Sequence, residues 1–176
     1  MIETERLILR DWRDEDRDPF LAMGQSPNVM KHLGGLQSPE QVDEAIARVR
    51  ACQAAHGHCF WAVERKGDGA FLGFCGLKVG NVGPIDGEIE IGWRLREDAW
   101  GQGFAKEAAL ASLAWGWANL DATRIVAITV PGNTSSWGLM ERLGMTRRPD
   151  MDFGHPHFAE DHPLHRHITY VMERPA

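Results

Sequence analysis

Residues 90–107, EIGWRLREDAWGQGFAKE, decide how this chain is read. They begin inside a strand. From 88 to 95 (EIEIGWRL) the residues alternate, placing Ile89, Ile91 and Trp93 on one face and Glu88 and Glu90 on the other. After a short turn, Gly101-Gln102-Gly103 leads straight into residues 104–120, a stretch rich in Ala and larger apolar side chains with almost no polar side. Such a composition suits a helix pressed onto a sheet and covered over much of its other side. Glycines let the backbone turn sharply and let an anion approach amide N–H groups with no Cβ in the way. The first helical turn leaves its N–H groups unpaired and carries partial positive charge, so the segment forms a cradle for a diphosphate. Alone, Gly-x-Gly is equally an ordinary tight turn before a helix. Two other phosphate loops do not fit: no Gly-Lys-Ser/Thr follows, and the third glycine of the dinucleotide fingerprint is missing.

Working outward, residues 59–65 (CFWAVER) and 70–79 (AFLGFCGLKV) flank Lys66-Gly67-Asp68-Gly69, the signature of a hairpin whose sheet the 88–95 strand extends. Ser38-Pro39-Glu40-Gln41 supplies an N-cap hydroxyl, a proline for the first helical position and a capping-box partner, predicting a helix that runs to Gly57. Residues 4–12 read as a first strand and 16–24 as a short acidic helix, with Asp14 to Asp18 as its solvated first turn. Downstream, RIVAITV (124–130) is a β-branched run typical of a central strand. Residues 135–143 form a helix closed by Gly144, and Tyr170 and Val171 lie in a last strand. Arg147 and Arg148 read as a solvated strand edge. The fold class is α+β, a mixed, mainly antiparallel sheet with helices on both faces, in a single domain spanning 1–176.

The 176 residues carry 19 Lys plus Arg against 25 Asp plus Glu, a formal charge of −6, and the pI is near 5.7. With acids and bases interleaved there is no broad cationic face, so nucleic-acid partners are not expected. No apolar run approaches membrane-spanning length and no signal peptide opens the chain, so no membrane partner is expected either. Cys52, Cys59 and Cys75 read as small core residues in a reducing compartment, which places the protein in the cytoplasm. Five His fall between 155 and 167 (HPHFAEDHPLHRH); their spacing could ligate zinc, but no Cys lies nearby and no metal is expected.

After the RIVAITV strand comes Pro131-Gly132-Asn133-Thr134-Ser135-Ser136, then a helix ending in Gly144-Met145. The order of Glu on a strand, Trp-Gly-x-Gly-aromatic-Ala-x-Glu on a turn and helix, strand, Asn-x-x-Ser helix and Gly-Met resembles the GCN5-related N-acetyltransferase (GNAT) superfamily. Within it the chain is similar to the branch named for the ribosomal-protein N-terminal acetyltransferases, which TERLILR (4–10) and FWAVER (60–65) also match; the likeness covers residues 4–174. The resemblance implies a sheet splayed between its fourth strand (88–95) and fifth strand (124–130), with acetyl-CoA as cosubstrate in the opening. It implies a pyrophosphate loop at Trp100, Gly101, Gln102, Gly103, Phe104 and Ala105, although Asp98 stands where that loop often begins with Gln or Arg. The backbone of Trp93, Arg94, Leu95 and Arg96 would pair with the pantetheine arm, and Asn133 would hold it beside the thioester. Glu90 matches the general base, and Ser136 sits where this branch has Ser in place of a Tyr acid.

The chemistry of those roles stands on its own. A primary amine is protonated at pH 7 and attacks a thioester only when neutral, so a base such as Glu90 must take a proton, directly or through water; Glu88 is the reserve. Departing thiolate needs a donor or a dipole, and Ser136 lies in a first helical turn; the alternative is a capping hydroxyl with no chemistry. Cys75, in an apolar hairpin with no His base, is a poor acyl carrier, so direct transfer in a ternary complex is expected. The rival class is a non-catalytic acyl-CoA sensor, which needs neither Glu90 nor Ser136. The acceptor is a small-molecule or peptide amine, its choice residing in residues 28–36 and 151–162, and the acidic surface favours a cationic one. An exposed strand edge would let two subunits pair as a homodimer.

Overall fold

The computed structural model describes residues 1–175. A first short strand, β1 (Ile2–Glu3), turns back into β2 (Leu7–Arg10) and is followed by the helices α1 (Arg17–Gly24), α2 (Pro27–Met30) and α3 (Pro39–His56). The hairpin β3 (Phe60–Arg65) and β4 (Phe71–Val79) leads to β5 (Ile89–Leu95), α4 (Phe104–Asn119), β6 (Arg124–Thr129) and α5 (Thr134–Arg142). Short strands β7 (Thr146–Arg147) and β8 (Phe153–Gly154) precede the last strand, β9 (Arg166–Glu173). The sheet order is β1-β2-β3-β4-β5-β6-β9-β7, with β8 on β9, and every pairing is antiparallel except β5 with β6.

The expected elements form for the expected reasons. Ser38 accepts the Gln41 N–H while the Gln41 side chain accepts the Ser38 N–H, Pro39 occupies the first turn, and Gly57 ends α3 in a left-handed conformation at φ 74°. The apolar face of β5 and the buried Leu7, Leu9, Trp61, Leu72 and Leu77 pack against Ala108, Ala109 and Leu113 of α4 and Leu139 and Met140 of α5. Small residues set that distance: a Cβ on Gly116 would stand 2.5 Å from Leu77. The opposite face of the hairpin, with Ala62 and Phe71, packs under Trp12, Phe20 and Met23 and under Val42 and Ile46 of α3. Helices therefore cover both faces.

Two expectations are corrected. The acidic segment before α1 is not uniformly solvated, because Asp16 is 2% exposed and receives two hydrogen bonds of 2.8 Å from the Arg10 guanidinium. Arg10 also donates to Glu64 at 2.6 Å, so an ion-paired triad sits under the start of α1. Nor is Arg147 free at a strand edge; it lies over the Tyr170 ring, 5.7 Å from its centroid, and donates to Asp152. Arg148 does lie near the surface, paired with Asp150 at 2.7 Å. No helix among the described residues is long and apolar enough to cross a membrane.

Candidate active site

The parallel pairing of β5 with β6 consists of two positions, Ile89 with Ile125 and Glu90 with Val126, and then stops. Beyond Glu90 the strands diverge, so the edge of β5 from Ile91 to Leu95 has β4 on one side and, among the described residues, no strand on the other. Glu90 thus stands at the apex of a V-shaped opening. It is 8% exposed, and Lys78 on β4 brings its Nζ to 3.0 Å from Glu90 Oε2. Among the described residues that buried oxygen has this countercharge nearby but no hydrogen-bond partner. Glu88, the reserve base, is committed elsewhere, receiving a 2.6 Å hydrogen bond from Arg124 that also raises the Arg124 pKa.

At the far end of β5 the chain turns into α4. Gly101 and Gly103 have φ of 72° and 82°, the left-handed region that favours glycine, and a Cβ on Gly101 would meet no atom of the other described residues within 4 Å. Gly103 is the N-cap residue of α4 and contributes no side-chain cap, and the first helical hydrogen bond runs from Glu107 N–H to the Gly103 carbonyl. The amides of Phe104 and Ala105 lie in that uncapped first turn, a donor set that fits a diphosphate.

The loop is braced from the N-terminal strand. Arg6 donates through Nη1 to the Gln102 carbonyl at 3.0 Å and through Nε to Glu107 at 2.7 Å, and its guanidinium lies 4.4 Å from the Phe104 ring centroid. Thr4 Oγ1 and the Arg6 backbone N–H add bonds to Glu107. Burial raises the Glu107 carboxyl, but these bonds outweigh it and hold the group below the usual carboxylate range. The Gln102 side chain donates to the Asp98 carbonyl at 2.7 Å, and the Trp100 indole N–H donates to the Leu95 carbonyl at 2.9 Å, which fixes the turn to the end of β5. Arg96 departs from its expected role: its N–H donates to the Leu72 carbonyl and its guanidinium to Asp98, so neither faces the opening.

Across the opening, Asn133 holds the N-cap position of α5 but makes no side-chain cap; its Oδ1 accepts from Ser135 at 3.1 Å. Ser136 is the third helical residue rather than the cap, so helix capping does not occupy its hydroxyl. Trp137 anchors the turn by donating to the Pro131 carbonyl at 3.1 Å. The loops at 28–36 and 151–162 come together nearby, since a Cβ on Gly34 would stand 3.4 Å from the Phe158 ring and one on Gly132 would stand 3.6 Å from His32.

The sequence model of the acetyltransferase (GNAT) domain matches residues 6–146. The chain belongs to the GNAT acetyltransferase family. The uncharacterized protein YkkB of Bacillus subtilis (strain 168) is 32% identical over 143 residues, covering 81% of this chain and 83% of its own. An acetyltransferase from Agrobacterium tumefaciens str. C58 superposes with a TM-score of 0.80 at 26% identity, covering 98% of this chain and 93% of the other. The likeness of fold extends to RimL, a ribosomal L7/L12 alpha-N-protein acetyltransferase solved with coenzyme A, at a TM-score of 0.76 and 15% identity over 97% and 95% of the two chains.

As a GNAT enzyme the chain is an acetyl-CoA-dependent N-acetyltransferase. Its fully buried Cys75 is unsuited to carrying an acyl group: burial pushes the thiol up to about 12, and its polar neighbour is the Ser112 hydroxyl at 3.7 Å. Sequence reasoning missed three site features, the Lys78 beside Glu90, the Arg6–Glu107 brace and the inward course of the Arg94 side chain. Cross-strand register exposes the first, because Lys78 pairs with Glu90 in the β4–β5 ladder.

Proposed function

We propose that the chain transfers acetyl from acetyl-CoA directly to a primary amine in a ternary complex, with the cosubstrate in the opening between β5 and β6. The observation that carries this reading is the end of β5–β6 pairing at Glu90, which leaves one continuous path from a buried carboxylate along an unpaired strand edge to the uncapped start of α4. The amides of Gly101, Gly103, Phe104 and Ala105 hold the diphosphate. The backbone of Trp93, Arg94 and Leu95 aligns the pantetheine arm as an added strand, and the free side-chain amide of Asn133 steadies it from α5.

Glu90 takes a proton from the incoming ammonium, directly or through a water, with the Lys78 Nζ 3.0 Å from its Oε2. The neutral nitrogen then forms the new C–N bond, the C–S bond breaks, the thiolate takes a proton from Ser136 or from water at the positive end of α5, and the second proton shed by the acylated nitrogen replaces the one so donated. The test is thiol release from acetyl-CoA against a panel of amines and N-terminal peptides. Turnover with intersecting initial-velocity lines supports the reading; parallel lines, or acetyl-CoA binding with no turnover on any amine, contradict it.

Two variants probe the parts. Gly103→Val places a β-branched side chain at φ 82° where phosphate must approach, and is expected to weaken acetyl-CoA binding about tenfold or more by calorimetry, roughly 1.4 kcal/mol. Unchanged affinity would put the cosubstrate elsewhere. Ser136→Ala removes a hydroxyl that does not cap its helix, so the melting temperature should hold while turnover at saturating substrates falls about tenfold. Full turnover would assign the proton to water.

A further inference from the structure

On the α1–α3 side of the sheet lies a cavity of about 660 Å³. Alternation along β5 turns Glu90, Gly92 and Arg94 to the face opposite Ile91, and their partners on β4 are Lys78, Gly76 and Phe74. Gly92 leaves room for an aromatic floor: the Phe60 ring lies over it, where a Cβ would stand 2.8 Å from the ring, and stacks on Phe74 at 5.0 Å between centroids. Lys78 lines this cavity and its Nζ lies 3.0 Å from Glu90 Oε2, so one side chain separates the chamber from the proposed base.

Arg94 is the anomaly in its wall. It is half-buried beside Phe74 and Phe20, 5.3 and 5.8 Å from their ring centroids. Among the described residues its guanidinium makes one hydrogen bond, from Nη1 to Gln37 Oε1 at 3.0 Å, and no ion pair. Its Nε is shut off from solvent with no partner. The half-buried or buried Arg10, Arg124 and Arg147 each have a carboxylate within 2.8 Å. Burial without a countercharge pulls Arg94 down to about 10, which still leaves it charged at neutral pH. Of the three Lys or Arg side chains in the lining, Lys78 faces Glu90 at 3.0 Å and Arg48 faces Glu44 at 3.6 Å, which leaves Arg94 without a carboxylate among the described residues. A buried, uncompensated cation costs stability and persists where a ligand supplies the missing anion.

We propose that this cavity is the acceptor subsite and that it selects a primary amine whose other end bears an oxyanion, a carboxylate or a phosphate, held by Arg94. The inference rests on the acetyl-transfer reading above. Four residues of strand, about 13 Å of rise, separate Arg94 from Glu90, so amine and anion sit at opposite ends of the acceptor, with its apolar body over Phe60 and Phe74. The group transferred, the bond formed and the proton removed are those of the proposed reaction.

The test compares kcat/KM for 4-(aminomethyl)benzoate and 4-(aminomethyl)phenyl phosphate with that for 4-methylbenzylamine and for spermidine. The wild type should favour one of the anionic amines over the neutral one about 30-fold or more, and the preferred anion identifies the oxyanion. Within Arg94→Gln that ratio should fall to near one, and Arg94→Lys should restore part of it; a ratio read inside each protein is independent of any change in overall rate. If Arg94→Gln does not fold, inhibition of the wild type by benzoate, competitive against amine and not against acetyl-CoA, serves the same purpose. Preference for neutral or cationic amines, or an unchanged ratio in a folded Arg94→Gln, overturns the inference while leaving acetyl transfer standing. Absence of turnover on every amine overturns the acetyl-transfer reading and this inference with it.

Discussion

Replacing Glu90 by Gln is expected to lower turnover about 10²-fold or more while acetyl-CoA still binds, because proton removal by a positioned base contributes at least that factor. Gln keeps the shape of the side chain at the apex of the opening and loses both the ability to take a proton and the charge that faces Lys78. The neighbouring carboxylate is the control. Glu88 is bound to Arg124 and lies before β5, so Glu88→Gln should hold turnover within a few-fold. Saturating-substrate rates and acetyl-CoA calorimetry on the two variants decide the matter. A Glu90→Gln enzyme with a wild-type rate beside a slow Glu88→Gln enzyme would exchange the two roles, and undiminished rates in both would leave solvent as the base.

The second large effect is on stability. Asp16→Ala removes the carboxylate facing Arg10, where the two side chains are only 3% and 7% exposed. Breaking a buried pair strands the remaining charge, so the loss should be about 3 kcal/mol, with Glu64 sparing Arg10 the full penalty. For a chain of this length that corresponds to a fall of roughly 6–12 °C in melting temperature. The opening between β5 and β6 proposed for the cosubstrate lies on other elements, so acetyl-CoA affinity should persist below the melt. A loss under 1 kcal/mol in urea unfolding would mean that Arg10 finds adequate compensation from Glu64 alone.

What was legible in the sequence was what is encoded locally. Alternation in β5, the proline and capping box of α3 and the glycine pair before α4 each depend on residues within a few positions, and each takes the form that its chemistry demands. The splay between β5 and β6 came only with the family resemblance, since nothing in EIEIGWRL says that pairing ends at Glu90. Long-range partners were not legible. Glu107 is 101 residues from the Arg6 that braces it, and neither composition nor spacing joins them. Asp16 is six residues from Arg10, yet an acidic run reads as solvated until burial is known. Arg94 lies in a strand whose period marks its face, but the absence of a countercharge appears only when every neighbour is in place.

The roles given to the opening depend on where the cosubstrate lies, and a crystal structure with coenzyme A and an amine tests that most directly. The account predicts diphosphate oxygens within hydrogen-bonding distance of the amides of Gly103, Phe104 and Ala105, the pantetheine arm running along the unpaired edge of β5, and the thiol beside Glu90 and Ser136. Coenzyme A bound on the α3 side of the sheet, or away from Gly101 and Gly103, would contradict it.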